Sequence, residues 1–167
     1  RLNVAFALDI LGHLEDEQRA SMLSVAPARL QFQWAHNREH EAGSVGRLME
    51  PPNTVMPPEA TVSQTIAQLK TRSTDALVTY CYVCDAQGIL VGLVTMRDLL
   101  FADPVTPLES IMLREVFVLS PSQDLTSAMR ATLDKHFPVY PVCDAKRKLL
   151  GLVRGQTIFE SETFEIT

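Results

Sequence analysis

From Leu48 onward the chain repeats itself, and a duplicated unit limits what a sequence can fold into more than local propensity does. The first copy runs from "LMEPPNTVMPPEATVSQTIAQL" to "YVCDAQGILVGLVTMRDLL", the second from "IMLREVFVLSPSQDLTSAMRATL" to "PVCDAKRKLLGLVRGQTIF". Met49 to Val55 has the spacing of Met112 to Val118, and Asp85 to Gly92 that of Asp144 to Gly151; a short insertion near residues 71–76 separates the copies in length. Each copy reads as strand, helix, strand, turn, strand, helix. In the first, "TVM" is a strand ended by a Pro-Pro turn. The helix over 63–70 then exposes Thr65 and Gln68 and buries Ile66 and Leu69. Tyr80 to Val83 pairs with Leu90 to Val94 across a turn at Gly88. One such unit leaves apolar sheet surface bare, and a second can cover it, so the copies are expected as a pair.

Ahead of the repeat the chain is patterned as two helices. "EDEQRASMLSVA" carries Met22, Leu23 and Val25 toward one face, with Glu15, Asp16 and Glu17 at the end where the helix dipole favours acids; Pro27 stops it. "ARLQFQWAHNREHEAG" carries Leu30, Phe32 and Trp34 and is expected to end at Gly43. Some forty residues of helix bury little by themselves, so they should dock on the rest or belong to a larger helical domain.

Composition narrows the function. A net charge of -5 with scattered Lys and Arg argues against nucleic acid as a partner. The longest apolar run, from Ile89 to Val94, is strand-sized, so no membrane insertion by this chain itself is expected. The chain opens on Arg1, and it stops at Thr167 inside a helical pattern, as an excised piece of a longer protein would. Cys81, Cys84 and Cys143 are odd in number and follow no secretory signal, which suits a reducing cytosol. The Cys81 and Cys84 spacing imitates a redox or zinc motif, but in the strand "YCYVC" side chains three apart point to opposite faces, so these read as buried structural thiols. His36 and His40 are four apart on a helix with Glu39 and Glu41 nearby, but no third ligand completes a zinc site. No nucleophile–base arrangement or phosphate loop is visible, and "SVGRLM" is too poor in glycine to cradle a triphosphate, so no enzyme is expected.

The run Gly92, Leu93, Val94, Thr95 and, three residues on, Asp98 resembles the hallmark of the CBS domain family. The resemblance implies an α/β (α+β) fold: a tandem CBS domain pair behind a short N-terminal helical segment, of the kind that binds adenine nucleotides. Thr95 and Asp98 stand at a turn into a helix, where free N–H groups favour phosphate, Asp98 can accept from ribose hydroxyls, and Arg97 supplies a phosphate-pairing fork. Both residues also suit a helix cap. The second copy has Arg154 and Thr157 at these positions, so at most one nucleotide per chain is expected.

Over nearly its whole length the order "EDEQRASMLSVA", "EAGSVGRLM", "YVCDAQGILVGLVTMRDLLFADPVTPLESIM" resembles the cytosolic part of MgtE-type magnesium transporters. That resemblance implies residues 1–45 as the end of a helical N domain, 46–102 as the first CBS domain and 103–167 as the second. It implies a cytoplasmic homodimer that senses Mg2+ and is joined to a transmembrane pore domain in the plasma (inner) membrane. ATP or another adenine nucleotide would meet Thr95, Arg97, Asp98, Glu115 and Phe137. Of the family's metal-sensing acids, Asp124, Glu160 and Glu165 remain acidic, while Thr126, Leu133, His136 and Thr157 are not. "FESETFEIT" also suits a solvated helix face. A free-standing CBS pair that binds adenylates and regulates a soluble partner is the alternative.

Overall fold

A computed structural model describes residues 10–52, 54–72 and 79–165, with the side chains of Arg29, Phe32, Arg72 and residues 161–165 outside the description. The chain divides into two compact units that do not follow the order of the copies. One takes in the described residues through Pro51 together with Leu119–Val142 and those from Gly151 on. The other takes Pro52–Val118 and Cys143–Leu150.

In the second of these units the first copy has the expected order. Strand β1 (Val55–Met56), helix α3 (Val62–Arg72), strands β2 (Tyr80–Cys84) and β3 (Leu90–Thr95) and helix α4 (Met96–Phe101) follow one another. Helices α1 (Asp16–Val25) and α2 (Ala28–Asn37) precede them in the other unit. The sheet order is β1-β2-β3, with β1 parallel to β2 across the α3 crossover and β2 antiparallel to β3 in the register Tyr80↔Thr95, Tyr82↔Leu93. A capping box starts α3: the Thr61 hydroxyl accepts from the Gln64 N–H and the Gln64 side chain from the Thr61 N–H. Met56, Val62, Leu69, Cys81, Val83, Val94, Leu99 and Leu108 make the core. Leu69 is buried as expected, but Thr65 is fully buried rather than exposed, because its hydroxyl donates to the Thr61 carbonyl one turn back and no longer needs water.

Both hairpin turns are built alike. The Asp85 carboxylate accepts from the Gln87 and Ile89 N–H groups, and Asp144 does the same for Lys146 and Lys148. The turn needs a left-handed residue, which is Gly88 (φ 82°) in the first copy and Arg147 (φ 63°) in the second. The Leu90 N–H donates to the Arg147 carbonyl, and that of Leu149 to the Gly88 carbonyl.

The other unit joins helices α1 (Asp16–Val25) and α2 (Ala28–Asn37) to helix α5 (Leu125–Thr132), most of the hairpin of β4 (Val139–Cys143) and β5 (Leu149–Arg154), and helix α6 (Gly155–Glu165). Helix α1 stops before Pro27 as expected, and of the three apolar residues expected on its inward face only Leu23 packs inward. Arg19 donates to the Leu11 and Leu14 carbonyls, and its guanidinium lies 5.4 Å from the Trp34 ring centroid. Leu23, one turn on, packs beside it on Leu11 and Trp34, which turns Met22 and Val25 out to 52% and 84% exposure. Helix α2 ends at Asn37 and not at Gly43, because the Asn37 carbonyl and carboxamide bond to the segment at 47–49. Gly43, at φ 74°, instead turns the chain into the Ser44↔Asp124 bridge.

The second copy lacks the leading strand that its pattern implies; what remains is the parallel bridge Leu119↔Val142. In the first copy β1 is held by the Tyr82 N–H donating to the Thr54 carbonyl. The residue at that place in the second copy is Pro141, which has no N–H to give.

Candidate functional site

The hallmark turn after β3 starts from a close backbone approach. A Cβ on Gly92 would stand 2.6 Å from the Met112 sulfur and 3.0 Å from the Leu113 carbonyl oxygen, because residues 112–113 lie against β3 through the paired Leu93 and Leu113 bonds. Gly151 repeats the arrangement in β5. A Cβ there would stand 2.9 Å from the Glu50 carbonyl and 3.1 Å from Met49 Cβ. Each hallmark glycine therefore receives the Met-containing segment that opens the other copy, which explains why that segment recurs as "LM" and "IM".

Thr95 caps α4, and with Asp98 it forms a closed box. The Asp98 N–H donates to Thr95 Oγ1, while Asp98 Oδ2 accepts from the Thr95 N–H at 3.1 Å and its hydroxyl at 2.7 Å. The cap reading is thus met. Both residues are half-buried, Arg97 is exposed beside them, and Glu115 is exposed in the same unit. The group leaves the guanidinium of Arg97 for an anion and a second Asp98 oxygen for hydroxyl donors, the complement of a ribose phosphate. Phe137, in the other unit, is 42% exposed, with its ring 5.7 Å from that of Tyr140; its N–H donates to the Tyr140 hydroxyl.

At the equivalent turn of the second copy Arg154 reaches the Glu50 carboxylate with two bonds, Nε to Oε1 at 2.9 Å and a terminal nitrogen to Oε2 at 3.2 Å. Glu50 is 8% exposed. By the bridge register its place in the first copy is held by Leu113. Glu50 is a site residue that sequence patterning passed over. The signal was a double departure between the copies: Leu113 and Thr95 in one, Glu50 and Arg154 in the other.

Of the three acids named for a metal, the two whose side chains are described each have a local hydrogen-bond partner. Asp124 is the N-cap of α5, accepting from the Ser127 N–H, and that bond holds its carboxyl below the ordinary carboxylate range. Glu160, on α6, accepts from Gln156 one turn back. The side chain of Glu165 lies outside the described residues. Among the described residues no group of three or more His, Cys, Asp or Glu side chains could hold a metal ion, His36 and His40 included.

Cys81, Cys84 and Cys143 are free and buried, as expected. Burial first, and the Cys84 thiol second, push Cys81 up to about 12; burial brings Cys84 and Cys143 to about 11. They stay protonated and inert at neutral pH. The Tyr82 hydroxyl, in a ring 1% exposed, has no hydrogen-bond partner among the described residues, and burial raises its pKa.

Two matched glycine-backed turns in a duplicated β–α unit define the class. The CBS domain family matches residues 45–104 and 108–161, and the chain belongs to it. It is 31% identical over 129 residues to the magnesium transporter MgtE of Thermus thermophilus, covering 77% of this chain and 29% of that protein. With MgtE of Bacillus subtilis it shares 27% over 122 residues, 72% and 27% of the two chains. The crystal structure of the soluble part of a magnesium transporter superposes with a TM-score of 0.86 at 25% identity, over 99% of this chain and 65% of that one. The cytosolic domain of the Mg2+ channel MgtE in complex with ATP does so at 0.84 and 27%, over 96% and 66%. The chain thus spans under a third of the length of these curated relatives. Among the described residues no helix is long and apolar enough to cross a membrane.

Proposed function

We propose that this chain is the cytosolic regulatory part of an MgtE-type magnesium transporter, with residues 1–45 ending its helical N domain, 46–102 and 103–167 its two CBS domains, and no catalytic role. The observation that carries the reading is the extent of the likeness. The soluble part of a magnesium transporter superposes on 99% of this chain, so the likeness takes in the helices ahead of the repeats as well as the CBS pair. The chain works as a homodimer joined to a pore domain in the plasma membrane, and Mg2+ is the ion whose passage it regulates. A ligand shifts such an assembly only by its differential affinity for two states.

An adenine nucleotide binds at the first copy, its phosphates at Arg97 and the Thr95 turn, its ribose at Asp98, with Glu115 toward the base. The neighbour solved with ATP supports a nucleotide of this class. The test is calorimetric titration with AMP, ADP and ATP, with and without Mg2+, on wild type and Asp98→Asn, the latter chosen to keep a cap acceptor. One site per chain, lost or strongly weakened in the variant, is expected; no heat with any adenylate overturns the nucleotide reading.

A second reading has an observation in its favour. Asp124 is engaged as a cap and the described acids do not gather, which suits a CBS pair that answers adenylates alone and regulates a soluble partner. Sedimentation and protease sensitivity across millimolar Mg2+ separate the two. A more compact, more resistant dimer supports Mg2+ sensing through acids shared across a subunit interface, and no change favours the second reading.

A further inference from the structure

We infer that Glu50 and Arg154 are a clasp that makes the helical segment ahead of the repeats and the C-terminal helix α6 move as one body, built at the turn where the second copy has given up the hallmark residues. The inference concerns one unit only and does not depend on any ligand.

The connections run without a break. In α2 the buried Gln33 and Asn37 carboxamides both donate to the Met49 carbonyl, at 3.1 and 2.9 Å, and Asn37 also donates to Arg47. Arg47 returns a bond to the Asn37 carbonyl. The next residue, Glu50, exchanges both backbone bonds with Leu152 of β5, at 2.7 and 2.8 Å, and its carboxylate takes the two-pronged bond from Arg154. Arg154 immediately precedes Gly155, the first residue of α6. Two consecutive residues, Met49 through its carbonyl and Glu50 through both its backbone and its side chain, thus link α2 to the start of α6.

The chemistry makes this junction more than a surface ion pair. An exposed pair contributes little because water competes for both partners. Here the carboxylate is only 10% exposed, so water competes little for it, and the two bonds from Arg154 fix the geometry of the pair. The amides of Gln33 and Asn37 have the same property: buried, they must keep their acceptor. A displacement of α2 therefore drags Met49, and with it the residue that orients Arg154. The first copy has no such junction, since Leu113 and Thr95 occupy these places and Leu113 is 57% exposed.

Hydrogen exchange read by mass spectrometry on the whole chain tests this, because local opening is reported segment by segment. Asn37→Ala touches neither the ion pair nor α6, yet it should speed exchange at residues 155–160 by about fivefold or more. Arg154→Met should do the same at residues 31–37, and Glu50→Gln, which keeps the shape and loses the charge, should fall between Arg154→Met and wild type. Residues 80–95 of the other unit should be unchanged in all three. If Asn37→Ala does not fold, Gln33→Met takes its place. Faster exchange confined to residues 45–50 overturns the clasp, and so does an equal rise everywhere, which would mark general loss of stability.

Discussion

Replacing Gly151 with alanine tests the reasoning about the hallmark turns, and Gly92→Ala is its internal control. Neither glycine has a positive φ, so the penalty is spatial, and alanine should gain about 0.5 kcal/mol from a less flexible unfolded chain. At Gly151 the new methyl meets the Glu50 carbonyl oxygen at 2.9 Å and Met49 Cβ at 3.1 Å, neither of which can turn away by a rotamer change. Room comes only by pushing residues 49–50 off β5, which stretches both Glu50–Leu152 bonds. Overpacking of this kind costs about 1–3 kcal/mol and each weakened bond about 0.5–1 kcal/mol, giving a net loss of about 2–4 kcal/mol. At Gly92 the nearest atoms are Met112 Sδ at 2.6 Å and Cγ at 2.8 Å, the end of a flexible side chain that can swing aside, and the Leu113 carbonyl stands at 3.0 Å. The loss there should be about 0.5–2 kcal/mol. Urea unfolding followed by the fluorescence of Trp34, the single tryptophan, and by far-UV circular dichroism measures both; two compact units require the two probes to be fitted separately. Gly151→Ala within about 0.5 kcal/mol of wild type, or Gly92→Ala the costlier of the two, would refute the close-approach account.

Tyr82→Phe removes a buried hydroxyl that has no partner among the described residues, so the thermal midpoint of the ligand-free protein should stay or rise; a fall of several degrees would mean that the hydroxyl is satisfied. The three thiols are raised from 9.0 to about 11 or 12 in the folded chain, so the unfolded chain loses protons first as pH rises; stability should decline between pH 9 and 11, and substituting the cysteines by alanine should flatten that slope. At neutral pH they should react with a thiol reagent only on unfolding. Asp124 has the opposite sign: its folded pKa is lowered, so its contribution is present above the ordinary carboxyl range and is lost as pH falls through it. Asp124→Asn should blunt acid sensitivity read at α5 by exchange, and an unchanged acid profile would count against the cap as its cause.

Much of the architecture was legible because the copies could be read against each other. The hairpins, α3 and the Thr95–Asp98 helix start followed from period and turn chemistry, which are local. The errors fall where one residue answers to a distant partner. Met22 and Val25 have a plausible apolar spacing, but Arg19 claims the inward face through carbonyls at Leu11 and Leu14 and through Trp34. Thr65 looks like a surface residue until its hydroxyl finds a carbonyl one turn back. The missing strand of the second copy was written in the sequence as Pro141, but its meaning depends on knowing which N–H the first copy uses there. The candidate metal acids were taken from resemblance, and carboxylates spread along a chain say nothing about convergence.

What the sequence determined by itself is the class: a duplicated unit with Gly92 and Gly151 in register and a cap at Thr95 and Asp98, since repetition and capping are short-range patterns. What only the tertiary structure decided is how the duplicate is used. The segment that opens each copy crosses to the hallmark glycine of the other, and at the second crossing Glu50 and Arg154, 104 residues apart, close a pair that no spacing rule connects. Such a pairing depends on the backbone approach that creates it, and that approach exists only once both copies are folded.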